Sequence, residues 1–553
     1  YAIMNTALSM KGGILIWRKG ILTEQKNDWW RSAIIYQIYP RSFLDTNNDG
    51  IGDLVGISNK LHYIKSLGVD AIWISPFFKS PMKDYGYDVS DYRAIDPLFG
   101  TMQDFDTLLE RAHALGLKII IDLVLSHTSN EHPWFSDSSK KDWYVWADAK
   151  EDGSAPNNWV SLFGGQAWEW DDHHQQYYLH NFLKEQPDLN FHNKEVQEET
   201  LDICRFWLDK GVDGFRLDVV NFYFHDSLLR DNPPREASAG YATQFEHDTP
   251  YSAQQHIYDK SRPENLDFIA DLRALTDRYK NRVLIGEIGD DHPYTLAQLY
   301  TRGKSHLHTT YNPHMMSGTY KELSEDLVRK PIQDFYDIKK SDESANSMNT
   351  DKGWPSWAFS NHDVVRAASR WYKPFDHDPR LSKLLIATLG CLPGTLFLYQ
   401  GEELGLPEAQ IPYESLHDPW AKETWPDWQG RDGCRTPMVW NGSKPYLGFS
   451  QKRPWLPIPK THEVQHVQHQ ENDRNSVLNF TKKFIHWRKS KINIFNEDVE
   501  FINTNHCKVL HIKWKNNIYE TNCIFNLSDK ILIYNKKELG PFDFHIDGFS
   551  DEN

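Results

Sequence analysis

The sequence has few cysteines, no long apolar run and no excess of positive charge, and each absence excludes a class of protein. Its five cysteines are scattered and include no Cys-X-X-Cys pair, so neither a disulfide framework nor a zinc site is expected. No run of about 18 apolar residues is present, so no transmembrane helix is expected. The formal net charge of -16 argues against nucleic acid and anionic membranes as partners. These features favour a cytoplasmic protein.

Short apolar runs alternate with amphipathic segments over most of the chain. The stretches "AIIYQIYP" (33–40), "DAIWISP" (70–76) and "KIIIDLVLSH" (118–127) are strand-like, and helical patterns follow the first two. Continued to "TLFLYQGEE" (395–403), this rhythm gives eight strands, most of them followed by a helix. Eight such units that close on themselves form a (β/α)₈ barrel, a fold of the α/β class.

The rhythm is interrupted twice and is followed by a different pattern. Residues 128–195 are rich in Trp, Asp, Asn, Gly and His without a long helical pattern, and a polar insertion occupies about 222–262. After the helical segment 476–490, alternating segments indicate antiparallel strands. The domains expected are a tail over 1–27, the barrel over 28–127 and 196–494, a loop-rich domain over 128–195, and a small β domain over 495–553.

Ionisable residues stand at the ends of four predicted strands. Because the carboxyl ends of barrel strands open onto one cavity, we expect these side chains to converge. A single carboxylate at such a place is usually a helix cap or a surface group, but four in corresponding places are hard to attribute to chance. The residues are Asp122 and His127 on the third strand, Arg216 and Asp218 on the fourth, Glu287 on the fifth, and His362 and Asp363 on the seventh.

The chemistry of such a set is specific. Arg216 and Asp218 are two residues apart in an apolar strand, so their side chains point to the same face. Three carboxylates in one pocket suit the acid-catalysed cleavage of a glycosidic bond. One attacks the anomeric carbon, a second is kept protonated and protonates the leaving oxygen, and a third binds substrate hydroxyls.

Several of these stretches carry a family resemblance. "DLVLSH", "GFRLDVVNF", "GEIGD" and "FSNHD" resemble the four conserved stretches of glycoside hydrolase family 13, the α-amylase family. "QPDLN" (186–190), "GYDVSDY", "YQGEELGL" and "GRDGCRTPM" are similar to its oligo-1,6-glucosidase and α-glucosidase branch. The resemblance covers residues 28 to 490 and implies a barrel, a domain B at 128–195 and a β-sandwich domain C.

The resemblance implies a role for each matched residue. Asp218 is the expected nucleophile, Glu287 the general acid/base and Asp363 the stabiliser of the transition state. Arg216 is expected to orient Asp218 and keep it ionised. The resemblance implies that Asp84 pairs with Arg431 to close off the terminal glucose, with Arg435 as a competitor for the role of Arg431. It implies that Tyr87 stacks on the ring of this glucose and that His127 and His362 bind its hydroxyls. Phe182 and Gln186 are expected at the entrance, and Val219 on the acceptor side.

Two departures from the family pattern are visible. The first conserved stretch usually ends Asn-His, whereas here Ser126 precedes His127, and we expect a shorter hydrogen-bond donor there without loss of chemistry. The sixth strand, "LHTTYNPHMM" (307–316), matches the family poorly, which leaves its role in doubt.

The stretch "DTNNDGIGD" (45–53) resembles the first part of an EF-hand loop. Oxygen ligands recur at alternate positions, and Gly50 permits a sharp turn. Gly56 stands where an EF-hand has its closing Glu, so the loop is not an EF-hand. The resemblance implies a structural Ca²⁺ or Mg²⁺ and no organic cofactor. The expected ligands are Asp45, Asn47, Asp49, the carbonyl of Ile51, and Asp53.

The resemblance implies a retaining exo-acting α-glucosidase. It would act on short α-glucosides of the size of maltose or isomaltose through a covalent glucosyl-enzyme, with transfer to hydroxyl acceptors. Val219 favours α-1,6 linkages, but "VVNFYFHDSLLRDNPP" and "GEIGDD" look most like enzymes that take maltose-sized substrates, so the linkage stays open.

Two other readings stay open. A sucrose isomerase or other transglycosidase has this fold, although the Arg-Asp motif typical of such enzymes near the sixth strand is not found. A non-catalytic sugar-binding or scaffold homologue would lose the carboxylates, which are present here. The expected partners are small α-glucosides and hydroxyl acceptors, and the expected state is a monomer or homodimer.

Overall fold

The computed structural model describes most of the chain. The expected tail over 1–27, the middle of the 222–262 insertion and part of the 307–316 segment lie outside the described residues. The described residues are 28–235, 249–290, 292–311, 315–316, 322–336, 353–372, 377–426, 428–491, 495, 498–515 and 520–551.

Eight parallel strands form the central sheet. Each strand pairs with the next along the chain, and β8 pairs with β1; β6 and β7 meet through a parallel bridge between Thr310 and Pro355, which closes the ring. The predicted (β/α)₈ barrel is therefore confirmed. The strands are β1 (Ile34–Ile38), β2 (Ala71–Ile74), β3 (Lys118–Leu123), β4 (Gly214–Leu217), β5 (Val283–Glu287), β6 (Thr309–Tyr311), β7 (Ser356–Trp357) and β8 (Thr395–Tyr399).

Helices cover the outside of the barrel, and local sequence fixes their ends. Thr101 and Asp104 form a reciprocal capping box at the start of Met102–Ala114, and Gly211, in the left-handed conformation, ends Lys194–Lys210. The other helices that follow barrel strands are Leu54–Asn59, Leu61–Ser66, Asn265–Thr276, Pro293–Thr301, Glu325–Tyr336, Ala367–Arg370, Pro379–Gly390 and Val477–Ser490. No helix among the described residues is long and apolar enough to cross a bilayer.

Short helices lie in the connections. Four are α-helical: Pro133–Ser136, Pro419–Thr424, Lys460–Glu463 and Val467–Asn472. The 3₁₀ turns are Trp29–Ser32, Pro40–Ser42, Ser138–Trp143, Val220–Phe222, Glu402–Leu404, Tyr413–Ser415, Asp432–Arg435 and Pro445–Gly448.

Between β3 and the helix Lys194–Lys210 the chain forms a small unit with its own core. Three antiparallel strands, Trp146–Ala147, Trp168–Asp171 and Gln176–Leu179, pack around Trp159 and Trp168. A two-stranded antiparallel ribbon, Phe78–Lys79 with Asp91–Ile95, follows β2. Both elements rise from the carboxyl end of the barrel, where they form walls over it.

The end of the chain forms antiparallel sheets, as predicted. Trp514 docks this part on the barrel, because its indole N–H donates to the carbonyl of Cys391 at 3.0 Å. The strands are Asp498–Phe501, Val509–Lys515, Glu520–Asn526 and Phe544–Ile546 in one sheet, and Leu532–Tyr534 with Lys537–Leu539 in another.

Candidate active site

One guanidinium joins three carboxyl groups from three neighbouring strands. Arg216 of β4 lies beside Asp122 of β3 in the sheet register. Its Nη1 contacts Asp122 at 2.8 Å and Asp218 at 2.5 Å, and its Nη2 contacts Glu287 at 2.7 Å. The closed barrel brings these strand ends together, so Asp122, Asp218 and Glu287 lie at one place although they are far apart in sequence.

Burial shifts the pKa values of the two central carboxyl groups upward. It raises the pKa of Asp218 to about 7, against the opposing positive charge of Arg216. It raises the pKa of Glu287 to about 8, and the negative charge of Asp218 adds to this shift. Arg216 thus favours the ionised form of Asp218, as expected, but burial is the larger effect. Both carboxyl groups therefore keep a proton to higher pH than an exposed carboxyl group does.

Asp363, just beyond β7, has the opposite electrostatic character. Burial disfavours its charge, but His362, Arg435 and Arg431 outweigh burial and hold its pKa well below the usual range. Its Oδ1 accepts from Arg435 at 2.8 Å and lies 3.5 Å from Arg431. Asp363 is therefore a permanent negative charge facing the two groups whose protonation changes.

Val219, immediately after Asp218, adopts a conformation that is unusual for its type. Its φ of 35° and ψ of 52° lie in the left-handed region, which a β-branched residue adopts only under strain. The turn directs the backbone N–H of Val219 to Glu287 Oε2 at 3.2 Å. The turn that follows Asp218 therefore also fixes the position of Glu287.

Tyr87 lines the cavity, whereas His362, expected to contact the substrate, is fully buried, does not line the cavity and stacks on Tyr87. Their ring centroids are 5.5 Å apart and their planes differ by 6°. The amide of Gln37 donates to His362 Nδ1 at 2.8 Å, which leaves the Nε2 proton facing the hydroxyl of Tyr87 at 2.6 Å. Burial lowers the pKa of His362 to about 3, so the ring is neutral. Sequence reasoning missed Gln37, whose only signal is a polar residue within the apolar run of β1.

His127 and Gln186 line the side of the site nearest domain B. The Nε2–H of His127 donates to the carbonyl of Tyr87 at 3.0 Å, and Ser126 donates to its Nδ1 at 2.8 Å. The Ser126 hydroxyl thus orients the ring at the position where the family usually has Asn. Phe182 packs beside His127 with ring centroids 5.1 Å apart, and Gln186 donates to Asp84 at 3.4 Å.

A salt-bridge cluster closes one end of the site. Arg431 Nη2 contacts Asp84 at 3.0 Å and Asp418 at 2.9 Å, and its backbone N–H donates to Asp418 at 2.8 Å. All three side chains are buried. Of the two arginines considered for the contact with Asp84, Arg431 makes it, while Arg435 pairs with Asp363. Asp418 carried no sequence signal, because its role depends on a contact across a loop.

These residues surround a cavity with about 530 Å³ of empty space. The charged lining residues are Asp84, Asp218, Glu287, Asp363 and Arg431. Another part of the lining is apolar and includes Trp420, which sequence reasoning missed and whose ring lies 5.0 Å from that of Phe163. The lining residues are Asp84, Tyr87, His127, Leu162, Phe163, Phe182, Gln186, Asp218, Val219, Glu287, Asp363, Trp420 and Arg431.

The loop expected to bind a metal is closed by its own hydrogen bonds. Asp45 accepts from the N–H of Gly50 at 2.8 Å, and Asp53 accepts from Thr46 and Gly56, each at 2.7 Å, the latter as a helix cap. Asn47, Asp49 and Ile51 hydrogen-bond in sequence to one another. The oxygen donors suit Ca²⁺ chemically. No group of three His, Cys, Asp or Glu side chains converges on one position in the described ranges. The expected ligand set also includes the amide of Asn47 and the carbonyl of Ile51, so the metal in this loop stays a prediction.

Comparison with known proteins places the chain in a family. Residues 37–498 match the family model of the α-amylase catalytic domain. The chain is 49% identical to a probable α-glucosidase of Rhizobium meliloti (strain 1021), over 96% of this chain and 95% of that protein. It is 38% identical to an oligo-1,6-glucosidase of Heyndrickxia coagulans, over 84% and 85%. The crystal structure of the α-glucosyl transfer enzyme XgtA superimposes with a TM-score of 0.85 at 49% identity, covering 91% of this chain and 92% of that one. The chain belongs to the α-amylase family, glycoside hydrolase family 13.

Proposed function

We propose that the protein is a retaining exo-α-glucosidase that hydrolyses short α-glucosides and transfers glucose to other hydroxyl groups. The observation that carries this proposal is the Asp218–Arg216–Glu287 arrangement at the base of the cavity. The similarity to proteins named α-glucosidase, oligo-1,6-glucosidase and α-glucosyl transfer enzyme supports it.

The first step uses the difference between the two carboxyl groups. Asp218, ionised, attacks the anomeric carbon from one face, and the protonated Glu287 gives its proton to the leaving oxygen. The carbon–oxygen bond to the leaving group breaks as the bond to Asp218 forms. Both carboxyl groups contact the guanidinium of Arg216, at 2.5 Å and 2.7 Å, so they lie close together. This favours the short separation of a retaining pair, about 5 to 5.5 Å, over the longer one that admits an attacking water.

The second step reverses the roles of the groups. Glu287, now ionised, takes a proton from water or from another hydroxyl, whose oxygen attacks the anomeric carbon and releases Asp218. Hydrolysis and transfer thus differ only in the acceptor. Trp420 and Phe163 add apolar surface to the cavity, beside Arg431 at its closed end.

The closed end of the cavity supports exo action. The Asp84–Arg431–Asp418 cluster blocks extension of a sugar chain beyond the first glucose. Carboxylate and guanidinium groups held in this way offer hydrogen bonds to the hydroxyls of that glucose. Asp363, fixed as an anion, lies where it favours the positive charge that develops on the sugar ring.

The linkage preference stays open between α-1,4 and α-1,6. Val219 narrows the acceptor side at the residue after Asp218, but this single contact does not rank the two linkages. Rates on maltose, isomaltose, nigerose and sucrose decide the preference. Conversion of sucrose to an isomer instead of glucose and fructose would favour the transglycosidase alternative.

The central test is release of nitrophenol from p-nitrophenyl α-glucoside. The wild-type protein is expected to release it, and Asp218→Asn to lose the activity by about 10,000-fold or more, as expected when a nucleophile is removed. Proton NMR of the first sugar product should show the α-anomer. Equal release by both proteins would exclude the proposed role of Asp218, no release by the wild-type protein would favour a non-catalytic homologue, and a β-anomer would exclude retention.

A further inference from the structure

The turn that carries Asp218 and the turn that carries Glu287 are joined by a buried amide that contacts no part of the cavity. Asn221 lies three residues after Asp218 and is fully buried. Its Nδ2 donates to the carbonyl of Gly289 at 2.9 Å, and its Oδ1 accepts from the N–H of Gly289 at 3.3 Å. This pair of bonds links the loop after β4 directly to the loop after β5, two residues beyond Glu287.

The same amide also anchors the returning end of the 222–262 insertion. Asn221 Nδ2 donates to Ser261 Oγ at 2.9 Å, and the N–H of Ser261 donates to the carbonyl of Asn221 at 2.7 Å. Ser261 Oγ in turn donates to Asp290. Both polar atoms of the Asn221 side chain therefore have partners, and the partners belong to two separate segments.

The two turns also pack directly against each other, which restricts their relative movement. A Cβ on Gly286 would lie 2.7 Å from Val220, so β5 and the nucleophile turn are already in the closest contact. The side-chain amide of Asn265 donates a hydrogen bond to the carbonyl of Val220 at 2.7 Å. Asn221 then fixes the far end of the turn, which determines the direction in which Asp218 and the strained Val219 face Glu287.

We propose that Asn221 is a positioning residue that sets the separation of Asp218 and Glu287, and that Ser261 links the insertion to this separation. The inference rests on the roles that the proposed function gives to the two carboxyl groups. Displacements of about 1 Å in such a pair reduce rates about 100-fold. Removal of the amide is therefore expected to impair catalysis although Asn221 touches neither substrate nor reacting atoms.

The first measurement is kinetic. Asn221→Ala should lower kcat/KM for p-nitrophenyl α-glucoside by about 100-fold, with most of the loss in kcat, because the pair is misaligned. Ser261→Ala keeps the Gly289 bonds and should give a smaller loss in the same direction. The control is Asn526→Ala in the C-terminal sheet. Asn526 is also fully buried and donates to three carbonyls, at 2.6 to 3.2 Å, but lies outside the cavity. It should lower the melting temperature and leave kcat unchanged.

The second measurement does not need activity. The titration of Glu287 is followed by ¹³C NMR of carboxyl-labelled glutamate, with the signal assigned by its loss in Glu287→Gln. Because the charge of Asp218 contributes to the raised pKa of Glu287, a wider separation should move this titration to lower pH in Asn221→Ala. The other titratable groups that face Glu287 are Arg216, Asp122, Asp363 and Tyr311, and the Asn221 side chain hydrogen-bonds to none of them.

The outcomes separate the inference from the proposed function. A wild-type protein without glucosidase activity would overturn the function, while the NMR titration would still test the junction. An unshifted titration in Asn221→Ala, or a loss of kcat no larger than in Asn526→Ala, would overturn the inference. Should Asn221→Ala fail to fold, Ser261→Ala carries the same two measurements, and wild-type values in both would overturn it.

Discussion

Arg216 shows what a buried ion pair contributes at the scale of one residue. Several kcal/mol are needed to remove each ion from water, and an isolated pair in an apolar strand rarely regains this energy. Here the guanidinium contacts three carboxyl groups, so one desolvated cation serves Asp122, Asp218 and Glu287 together. Burial, together with the negative charges of Asp218 and Asp363, raises the pKa of Glu287 to about 8, which favours its protonated form at neutral pH.

The pKa values of the pair predict the pH dependence of catalysis. Asp218 must be ionised, so kcat/KM should rise as pH increases through about 7. Glu287 must be protonated for the first step, so kcat/KM should fall again as pH increases through about 8. The measurement is the pH profile of kcat/KM on maltose.

A variant tests the assignment of the alkaline limb. Glu287→Gln cannot donate the proton, so kcat/KM on maltose should fall roughly 100- to 10,000-fold and the remaining rate should lose the decline above pH 8. Retention of that decline in Glu287→Gln would assign it to another group.

At the scale of elements, the sequence predicts site residues that lie within one contiguous motif but not those that act through contacts between distant segments. "GFRLDVVNF" and "FSNHD" each place their ionisable residues at the end of one strand, so a single stretch of sequence predicts where they lie. Gln37, Asp418, Trp420 and Asn221 act through partners on other elements, up to 325 positions away for Gln37 and His362. No local pattern encodes such a pairing, because it exists only after the strands have closed into a ring.

The metal expected in the Asp45–Asp53 loop is a prediction at the scale of one element. The spacing of its oxygens predicts a bound Ca²⁺, whereas the described arrangement satisfies the same oxygens with the loop's own N–H groups. A cation that binds only the folded state raises the melting temperature. The sequence-based prediction is thus a higher melting temperature in CaCl₂ than in EDTA.

A variant distinguishes calcium binding in this loop from calcium binding elsewhere in the protein. Asp49 is exposed and its carboxylate bonds only within the loop, so Asp49→Ala should remove the calcium effect without disturbing the barrel. Equal melting temperatures of the wild-type protein in CaCl₂ and EDTA would contradict the predicted calcium site.

At the scale of the whole molecule, the cavity is built by four separate parts of the chain. The barrel supplies the carboxylates, the segment after β2 supplies Asp84, domain B supplies Phe163, and the loop after β8 supplies Trp420 and Arg431. The ring of strands was predictable because its pattern repeats eight times. The closure of the cavity was not, since it depends on how Asp418 holds Arg431 against Asp84.

This closure predicts that the enzyme needs a free chain end. A p-nitrophenyl maltoside whose terminal glucose is blocked at O4 and O6 should not be cleaved, because the Asp84–Arg431–Asp418 cluster leaves no space for the blocking group. The unblocked maltoside should lose glucose from its non-reducing end, and the remaining aryl glucoside should then release nitrophenol. The measurement is nitrophenol release from both compounds, with glucose quantified in parallel. Comparable rates would mean that the cavity is open beyond the first sugar and that the protein cuts within chains.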